Sequence, residues 1–386
     1  MAKIMEIIAE ETNGKSYHTM KYSLDNPDVP SFDYDDEGTK VMKWQSRAET
    51  VNHKTAIDLS ELARELQGQV PILTYFLDGS RHVYKVDDIS YNKQVYPVLA
   101  GQIGVGCCRR EKGIMKPEQF YSRMVMALPN VCNFDGWDDD TFFAAKTEKL
   151  NTSLELKRLG ISFECILPYT MPKDKRKGKV EDSGVARIQD YMIQSEKEMV
   201  AELVKKGRLN QNNYLVKDGS LEYKPMKTGR EDLRLLQKIK HNYRWVIGVS
   251  KSFNPESILD HTGKPNANYI ADLELYHRTP VALYENSEFL GDVQFAVWYV
   301  RIRDKKHTRA PFDGVLKVEK ILMDEEIGVG IDSEEIDLIS ASLINERTPT
   351  CYGTDSRWAN HLYPVFLTES YVKSKYMSTE TFLHLF

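Results

Sequence analysis

The chain has 386 residues, 41% of them hydrophobic and 28% charged, which is typical of a folded globular protein and excludes a disordered or fibrous one. Its net charge of −5 excludes a uniformly basic protein that coats nucleic acid, but it allows a local basic channel. The five cysteines form no Cys-x-x-Cys pair, which predicts reduced thiols in a cytoplasmic protein without structural zinc. Neither a transmembrane segment nor a signal peptide is predicted.

Residues 1–65 are predicted to be an N-terminal extension, and residues 66–386 one elaborated domain with an insertion at about 111–184. Asn26–Gly38 is rich in Asp and Pro and predicts a loop. Asp58–Gln67 has apolar residues three and four positions apart, which predicts a short amphipathic helix.

Three apolar, β-rich segments begin the domain. Val70–Leu77 ends at an Asp-Gly-Ser tripeptide at 78–80, which predicts a turn, and Arg81–Val86 and Gln94–Cys108 follow. Short connections between three strands predict an antiparallel meander. The next elements are predicted as helices near Pro117–Met126 and Thr141–Leu159, a strand at Ile161–Leu167 and a basic loop at Lys173–Lys179.

The second half alternates helices and strands. A long helix is predicted at Val185–Lys206, and a short strand at Leu215–Lys217 ends in a second Asp-Gly-Ser at 218–220. The later elements are predicted as a helix at Glu231–His241, strands at Trp245–Val249, Val293–Ile302 and Val315–Ile321, a helix at Ser333–Ile344 and a C-terminal helix from about Leu367.

Three carboxylates stand out. Asp78 and Asp218 each follow an apolar strand, where open α/β sheets bind ligands, although an ordinary Asp-Gly turn is the alternative for each. Glu196 falls within the apolar stripe of its helix, between Met192 and Met199, and a buried carboxylate needs a metal ion or a partner such as Arg187.

The element order is a meander followed by strands reached through helical crossovers, which predicts an α/β, ribonuclease-H-like fold. Such a fold has a mixed central sheet flanked by helices, here with insertions, and its first and fourth strands are neighbours. Asp78 and Asp218 would then lie side by side, with Glu196 above them. Three converging carboxylates suit Mg²⁺ or Mn²⁺, and two such ions support phosphodiester hydrolysis.

The chain resembles the NurA nuclease family in a series of short segments. These segments are Leu77–Arg81, the helix around Glu196, Val216–Tyr223, Trp245–Lys251, Val297–Arg303 and Leu362–Ser370. The resemblance implies a Mn²⁺- or Mg²⁺-dependent DNA nuclease with a ribonuclease-H-like core, which forms homodimers and works with a hexameric HerA-type ATPase.

The resemblance also implies roles for individual residues. Asp78 and Asp218 match the family's two aspartates, and Glu196 matches its helical glutamate, with Glu202 as the alternative because residues 207–213 look inserted. The family has a Tyr-Pro and then a His eight residues after the Tyr. Tyr363 and Pro364 are present here, but Tyr371 stands at the His position. His361 or Lys373 is a candidate replacement, and an ordinary surface or capping role is the alternative for His361.

Several cations are candidates for contacts with DNA. Lys251 follows a strand and is a candidate for neutralising a phosphate, with a solvated lysine as the alternative. The predicted DNA-binding residues are Arg81, Arg301, Arg303, Lys305 and Lys306; an exposed strand end is the alternative for this cluster. The glycines at 101, 104 and 106 precede no Gly-Lys-Ser/Thr, so no P-loop is predicted.

The sequence is therefore compatible with three functions. The first is a metal-dependent DNA nuclease that acts with a HerA-type ATPase in DNA end processing or anti-phage defence. The second is a catalytically weakened subunit of the same fold that binds DNA or regulates the ATPase. The third is an unrelated α/β hydrolase or transferase, which the absence of a Gly-x-Ser-x-Gly motif disfavours.

Overall fold

The structure is a computed structural model, and it describes residues 4–16, 22–23, 42–43, 48–134, 136–171, 179–221, 238, 240–254, 258–260, 264, 266–285, 293–308, 310–348 and 356–386. Its helices are α1 (Ile4–Glu11), α2 (Ser60–Glu65), α3 (Asp139–Asn151), α4 (Leu154–Leu159), α5 (Val180–Lys205), α6 (Ala267–Ala271), α7 (Ser333–Asn345), α8 (Tyr363–Lys373) and α9 (Thr379–Leu383). Short 3₁₀ turns lie at Asn130–Cys132, Lys305–His307 and Ser356–Asn360.

The strands include several two-residue bridging elements and a set of long central strands. They are β1 (Lys15–Ser16), β2 (Tyr22–Ser23), β3 (Met42–Lys43), β4 (Ile57–Asp58), β5 (Leu73–Tyr91), β6 (Gln94–Glu111), β7 (Ile114–Pro129), β8 (Cys165–Tyr169), β9 (Tyr214–Asp218), β10 (Val246–Ser250), β11 (Ile258–Leu259), β12 (His277–Arg278), β13 (Ala282–Glu285), β14 (Gln294–Arg301) and β15 (Val315–Ile321).

The central sheet has the predicted mixed topology. Strands β5, β6 and β7 form an antiparallel meander, β9 pairs with β5 in parallel, and β10 pairs with β9 in parallel. The order β7-β6-β5-β9-β10 puts the fourth strand of the core beside the first, and β15 then extends the sheet in the antiparallel sense. The α/β fold class, with a mixed sheet flanked by helices, is confirmed.

Two predictions within the meander are wrong. Strand β5 runs without interruption from Leu73 to Tyr91, so the first Asp-Gly-Ser is not a turn and the two predicted strands on either side of it are one. Residues 114–129 form the strand β7 in place of the predicted helix at Pro117–Met126. Lys112 and Gly113 both have positive φ, as a two-residue hairpin requires, and this turn directs β7 back along β6.

Helices cover both faces of the sheet. On one face, α5 packs over the meander, and a β-carbon at Gly101 would lie 3.1 Å from Ile188 of α5. On the other face, α7 and α8 pack over the centre, and β-carbons at Gly104 and Gly106 would lie 2.7 and 2.5 Å from Val372 of α8. The glycines of β6 therefore allow helices to approach the sheet closely.

The N-terminal part also packs onto this body. Ile4, Met5 and Ile8 of α1 are buried beside the distal half of β5, and the fully buried Arg278 pairs with Glu49. The predicted loop at 26–38, the basic loop at 173–178 and most of the predicted helix at 231–241 lie outside the described residues. Within the described ranges, no helix is long and apolar enough to cross a membrane.

Candidate active site

Asp78 and Asp218 lie next to each other on the two central parallel strands. Leu77 of β5 is paired with Lys217 of β9, and each aspartate is the next residue along its strand. Phe76 and Val216 both belong to the core cluster that contains residues of α7 and α8. Because side chains alternate along a strand, both aspartates point to the same face as these two residues.

Lys251 supplies the buried positive charge of this face. It follows the last residue of β10, and its Nζ lies 2.8 Å from Oδ2 of Asp218 and 3.6 Å from Oε2 of Glu369. The Asn360 side chain donates to the Lys251 carbonyl and fixes the backbone there. Burial alone would lower the pKa of Lys251, but the carboxylates of Asp218 and Glu369 outweigh it and raise the pKa.

Asp78 is the least compensated of these groups. Its side chain is only 6% exposed, and within the described part of the chain it has neither a hydrogen bond nor an ion pair. Burial raises the pKa of Asp78 well above its usual range, the negative charge of Asp218 raises it further, and Lys251 opposes the shift. A buried carboxylate without a partner is costly, so this position favours a bound cation.

Glu369 of α8 belongs to this face and was missed by the sequence analysis. It approaches Lys251, and its negative charge also raises the pKa of Asp78. Its other oxygen is 2.6 Å from Nζ of Lys373, the candidate replacement for the histidine. The sequence feature that could have indicated Glu369 is its position three residues before the apolar Val372, because residues three apart lie on one face of a helix.

Glu196 lies on the opposite face of the sheet from the side chains of the aspartates, and its negative charge still raises the pKa of Asp78. It packs from α5 over Gly79, whose side of β5 is opposite to that of Asp78, and its Oε2 forms an ion pair with Lys217 at 3.0 Å. Burial raises the pKa of Glu196, and Lys217 opposes the shift. Its partner is therefore a lysine, whereas Arg187 pairs with Asp190.

The other carboxylate considered on α5 and the C-terminal candidates have the following surroundings. Glu202 is hydrogen-bonded to Gln119 on the outside of α5. His361 is buried near Phe366, with ring centroids 6.2 Å apart, so it is not a surface residue. Tyr363 is 46% exposed at the start of α8, six residues and therefore about 9 Å along the axis before Glu369. Tyr371 packs edge-to-face on Phe120 of β7.

The predicted DNA-binding cations separate into buried and exposed groups. Arg301 is fully buried and donates to four backbone carbonyls, so the prediction that it binds DNA is wrong. Arg303 is half-buried, donates to the Thr348 carbonyl and lies over the Trp358 ring. Arg81 donates to Gln189 of α5. Lys305 and Lys306 are exposed.

The two exposed lysines lie at the same end of the sheet as Lys251. Ser250 is paired with Lys317, and Val315 with Arg301, so the end of β10, the start of β15 and the end of β14 adjoin. The 3₁₀ turn at Lys305–His307 follows directly. A basic surface therefore flanks the candidate active site.

The donors at this site suit a hard divalent cation. Asp78, Asp218 and Glu369 supply only carboxylate oxygens, which Mg²⁺ and Mn²⁺ prefer, and the ammonium of Lys251 already lies among them as a substitute positive charge. Over the residues that the structure describes, no group of three or more His, Cys, Asp or Glu side chains is already arranged to hold a metal ion. The residue types fit such an ion, and binding it requires local rearrangement around Lys251.

A comparison with known protein families agrees with the resemblance seen in the sequence. A model of the NurA domain matches residues 168–368, slightly more than half of the chain; Asp78 precedes this range and Glu369 follows it directly. The crystal structure of the NurA nuclease from Sulfolobus solfataricus is similar over 81% of this chain and 83% of that chain, with 12% sequence identity and a TM-score of 0.44. No curated protein matches the chain.

Proposed function

Because this chain belongs to the NurA family of nucleases, we propose that it hydrolyses phosphodiester bonds of DNA with the help of Mn²⁺ or Mg²⁺. The observation that carries the proposal is the buried Asp78 carboxylate, which lies beside Asp218 and lacks a hydrogen bond or ion pair among the described residues. A nuclease that uses a divalent cation needs such a site, because the cation supplies the charge that the folded chain lacks there.

Each residue of the site has a definite task in this proposal. Asp78 and Asp218 would hold the cations, of which we propose two, and bound cations would supply an activated water and a positive charge for the leaving oxygen. Lys251 is held at the end of β10 by Asn360 and places a positive charge close to Asp218, where a DNA phosphate would enter. Glu196 supports the site from the opposite face by holding Lys217, whose Nζ donates to the Asp218 carbonyl.

Lys305 and Lys306 are proposed to guide the DNA backbone toward this end of the sheet. They are exposed and adjoin the ends of β14 and β10, although Lys306 also forms an ion pair with Asp304 at 3.1 Å. Exposed lysines add attraction to phosphate without sequence preference, and this attraction weakens as salt rises. A few local cations are sufficient for this role on a chain of net charge −5.

The partners follow from family membership alone. We propose that the chain forms a homodimer and works with a hexameric HerA-type ATPase, in DNA end processing or anti-phage defence. One observation favours a second candidate, a catalytically weakened subunit that binds DNA or regulates the ATPase. Tyr371 stands where the family has a histidine, and its half-buried ring packs edge-to-face on Phe120.

A nuclease assay on linear DNA distinguishes the candidates. The wild-type chain should cleave DNA with Mn²⁺ and stop when EDTA is added, and Asp78→Asn and Asp218→Asn should each abolish cleavage. Glu380→Gln, which changes an exposed carboxylate on α9, is the matched control and should retain full activity. Cleavage by both aspartate variants would refute the site, whereas inactivity of the wild type with every metal, even with a HerA-type ATPase, would favour the weakened subunit.

The basic surface has its own test. Lys305→Glu with Lys306→Glu should weaken binding to a DNA duplex and reduce the dependence of affinity on salt by about one unit of slope per lost phosphate contact. The control reverses an equally exposed pair on α4, Lys157→Glu with Arg158→Glu, which lies on a separate element and should bind normally. An equal loss in both double variants would show only a general effect of net charge.

A further inference from the structure

Glu369 is brought to the site by the close packing of α8 on the sheet. Gly106 is the residue of β6 that pairs with Asp78, and Val372 of α8 packs directly over it. Glu369 lies three residues earlier on the same face of that helix, and its charge acts on both Asp78 and Lys251. The two glycines at 104 and 106 permit this approach, because any larger residue there would contact Val372.

We propose that Glu369 is a ligand of the divalent cation, beside Asp78 and Asp218, and that it replaces the histidine that the family pattern places at Tyr371. This inference rests on the proposed function, since it concerns the same cation. Tyr371 has no imidazole nitrogen to offer a cation, and its ring packs edge-to-face on Phe120.

The buried Asp78 is the independent sign that a cation belongs here. It is only 6% exposed and has no hydrogen bond or ion pair in the described parts of the chain, so the acidic residues are more than a chance cluster. The ammonium of Lys251, 2.8 Å from Asp218 and 3.6 Å from Glu369, shows that both carboxylates accept a common cation. A cation that also reaches Asp78 would satisfy the carboxylate that Lys251 leaves without an ion pair.

Glutamate in place of histidine also has a chemical consequence. A site of three carboxylates offers only hard oxygen donors, which favours Mg²⁺ and Mn²⁺ over metals that prefer imidazole nitrogen. The Glu369→His variant should therefore keep Mn²⁺ binding while its affinity for Ni²⁺ or Zn²⁺ rises relative to that for Mg²⁺.

Mn²⁺ binding to the purified full-length chain without DNA tests the proposal. Free Mn²⁺ is measured by electron paramagnetic resonance, so the readout does not depend on nuclease activity. Glu369→Gln should weaken Mn²⁺ binding by at least about tenfold, the lower end of the effect of losing even an outer-sphere partner. Glu380→Gln, an exposed carboxylate on α9, should change the affinity by less than about twofold.

Repeating the substitution in a Lys251→Met variant distinguishes a metal ligand from a residue that only positions Lys251. If Glu369 binds the metal, Glu369→Gln should weaken Mn²⁺ binding equally in the wild type and in Lys251→Met. An effect that disappears in Lys251→Met would overturn the proposal, because Glu369 would then act only through its contact with the ammonium. Unchanged binding by Glu369→Gln in both backgrounds would also overturn it.

The same titration separates failure of this inference from failure of the proposed function. Mn²⁺ binding that Asp78→Asn abolishes but Glu369→Gln leaves intact would refute only the role of Glu369. No Mn²⁺ binding by the wild type, or binding that Asp78→Asn leaves unchanged, would refute the metal site itself and therefore both proposals.

Discussion

Removing the charge of Asp78 should make the metal-free protein more stable. Its carboxylate is buried without a hydrogen bond or ion pair among the described residues, and Asp218 lies beside it. A buried polar or charged group without a partner costs about 1–3 kcal/mol or more. Asp78→Asn keeps the shape of the side chain and removes the charge, so the free energy of unfolding should rise by about 1–3 kcal/mol in EDTA.

Mn²⁺ should reverse this order of stability between the wild type and Asp78→Asn. A ligand that binds only the folded state stabilises it by about 2.7 kcal/mol when present at 100 times its dissociation constant. The wild type should gain that amount, and Asp78→Asn should gain almost nothing. With Mn²⁺ the free energy of unfolding of the wild type should therefore equal or exceed that of Asp78→Asn. Such an order is expected where a binding site is maintained at a cost in stability.

Asp218→Asn provides the contrast within the same site. Asp218 is the closest partner of Lys251, at 2.8 Å, and its loss leaves a buried ammonium with Glu369 at 3.6 Å. Breaking a buried ion pair costs about 3–5 kcal/mol, and the remaining glutamate reduces that loss. Asp218→Asn should therefore destabilise the metal-free protein, the opposite sign to Asp78→Asn.

Thermal unfolding followed by circular dichroism measures these differences, with and without Mn²⁺. In domains of 150–250 residues each kcal/mol of stability shifts the melting midpoint by about 2–4 °C, and in a larger domain the shift is smaller. A lower midpoint for Asp78→Asn than for the wild type in EDTA would refute the reasoning. An equal rise with Mn²⁺ in both proteins would place the metal elsewhere.

Three further predictions concern the rest of the fold. Gly79→Ala should lower the free energy of unfolding by about 1–3 kcal/mol in urea, because its β-carbon would collide with the buried Glu196; an unchanged midpoint would contradict this packing. Arg278→Met should cost about 3–5 kcal/mol because the buried Glu49 loses its ion-pair partner, and adding Glu49→Gln should recover part of the loss in the same assay. At pH 8 the described thiols should react with a disulfide reagent more slowly in the folded than in the urea-unfolded protein. The reason is that burial raises the pKa of four thiols: Cys107, Cys108, Cys132 (to about 12) and Cys165 (to about 11). Equal reaction rates in the two states would contradict that burial.

The sequence predicts the strands that are buried on both faces. Strand β10 is a largely apolar run, and β15 combines apolar residues with the buried Lys317, Glu319 and Lys320. The predicted bounds of both strands lie within a residue of those in the structure. Strand β7 was missed because its first half is largely exposed or half-buried and lacks a period of two. Long-range pairing with β6 and the turn at Lys112 and Gly113 determine its conformation, and neither is visible in a local window.

The two Asp-Gly-Ser tripeptides show how one local pattern has two structural causes. Gly219 has φ +85° and ends β9, as a turn requires. Gly79 lies inside β5, and the position needs glycine because Glu196 of α5 lies against it. Only the tertiary contact distinguishes them. The candidate site residues Asp78 and Asp218 were predicted from the pattern, whereas the position of Glu369 depends on how closely α8 packs on β6.

The distribution of charge across the sheet indicates on which face a cation is needed. On the α5 face, Glu196 is compensated by Lys217 at 3.0 Å. On the α8 face, Asp78, Asp218 and Glu369 share the ammonium of Lys251, which is the one buried cation near them among the described residues. Lys373 also pairs with Glu369, but its side chain is half exposed to solvent. Burial makes uncompensated negative charge costly, so the α8 face requires further positive charge and the α5 face does not. The site that needs a cation also lies at the end of the sheet where β10 and β14 end, next to the turn that carries the exposed Lys305 and Lys306.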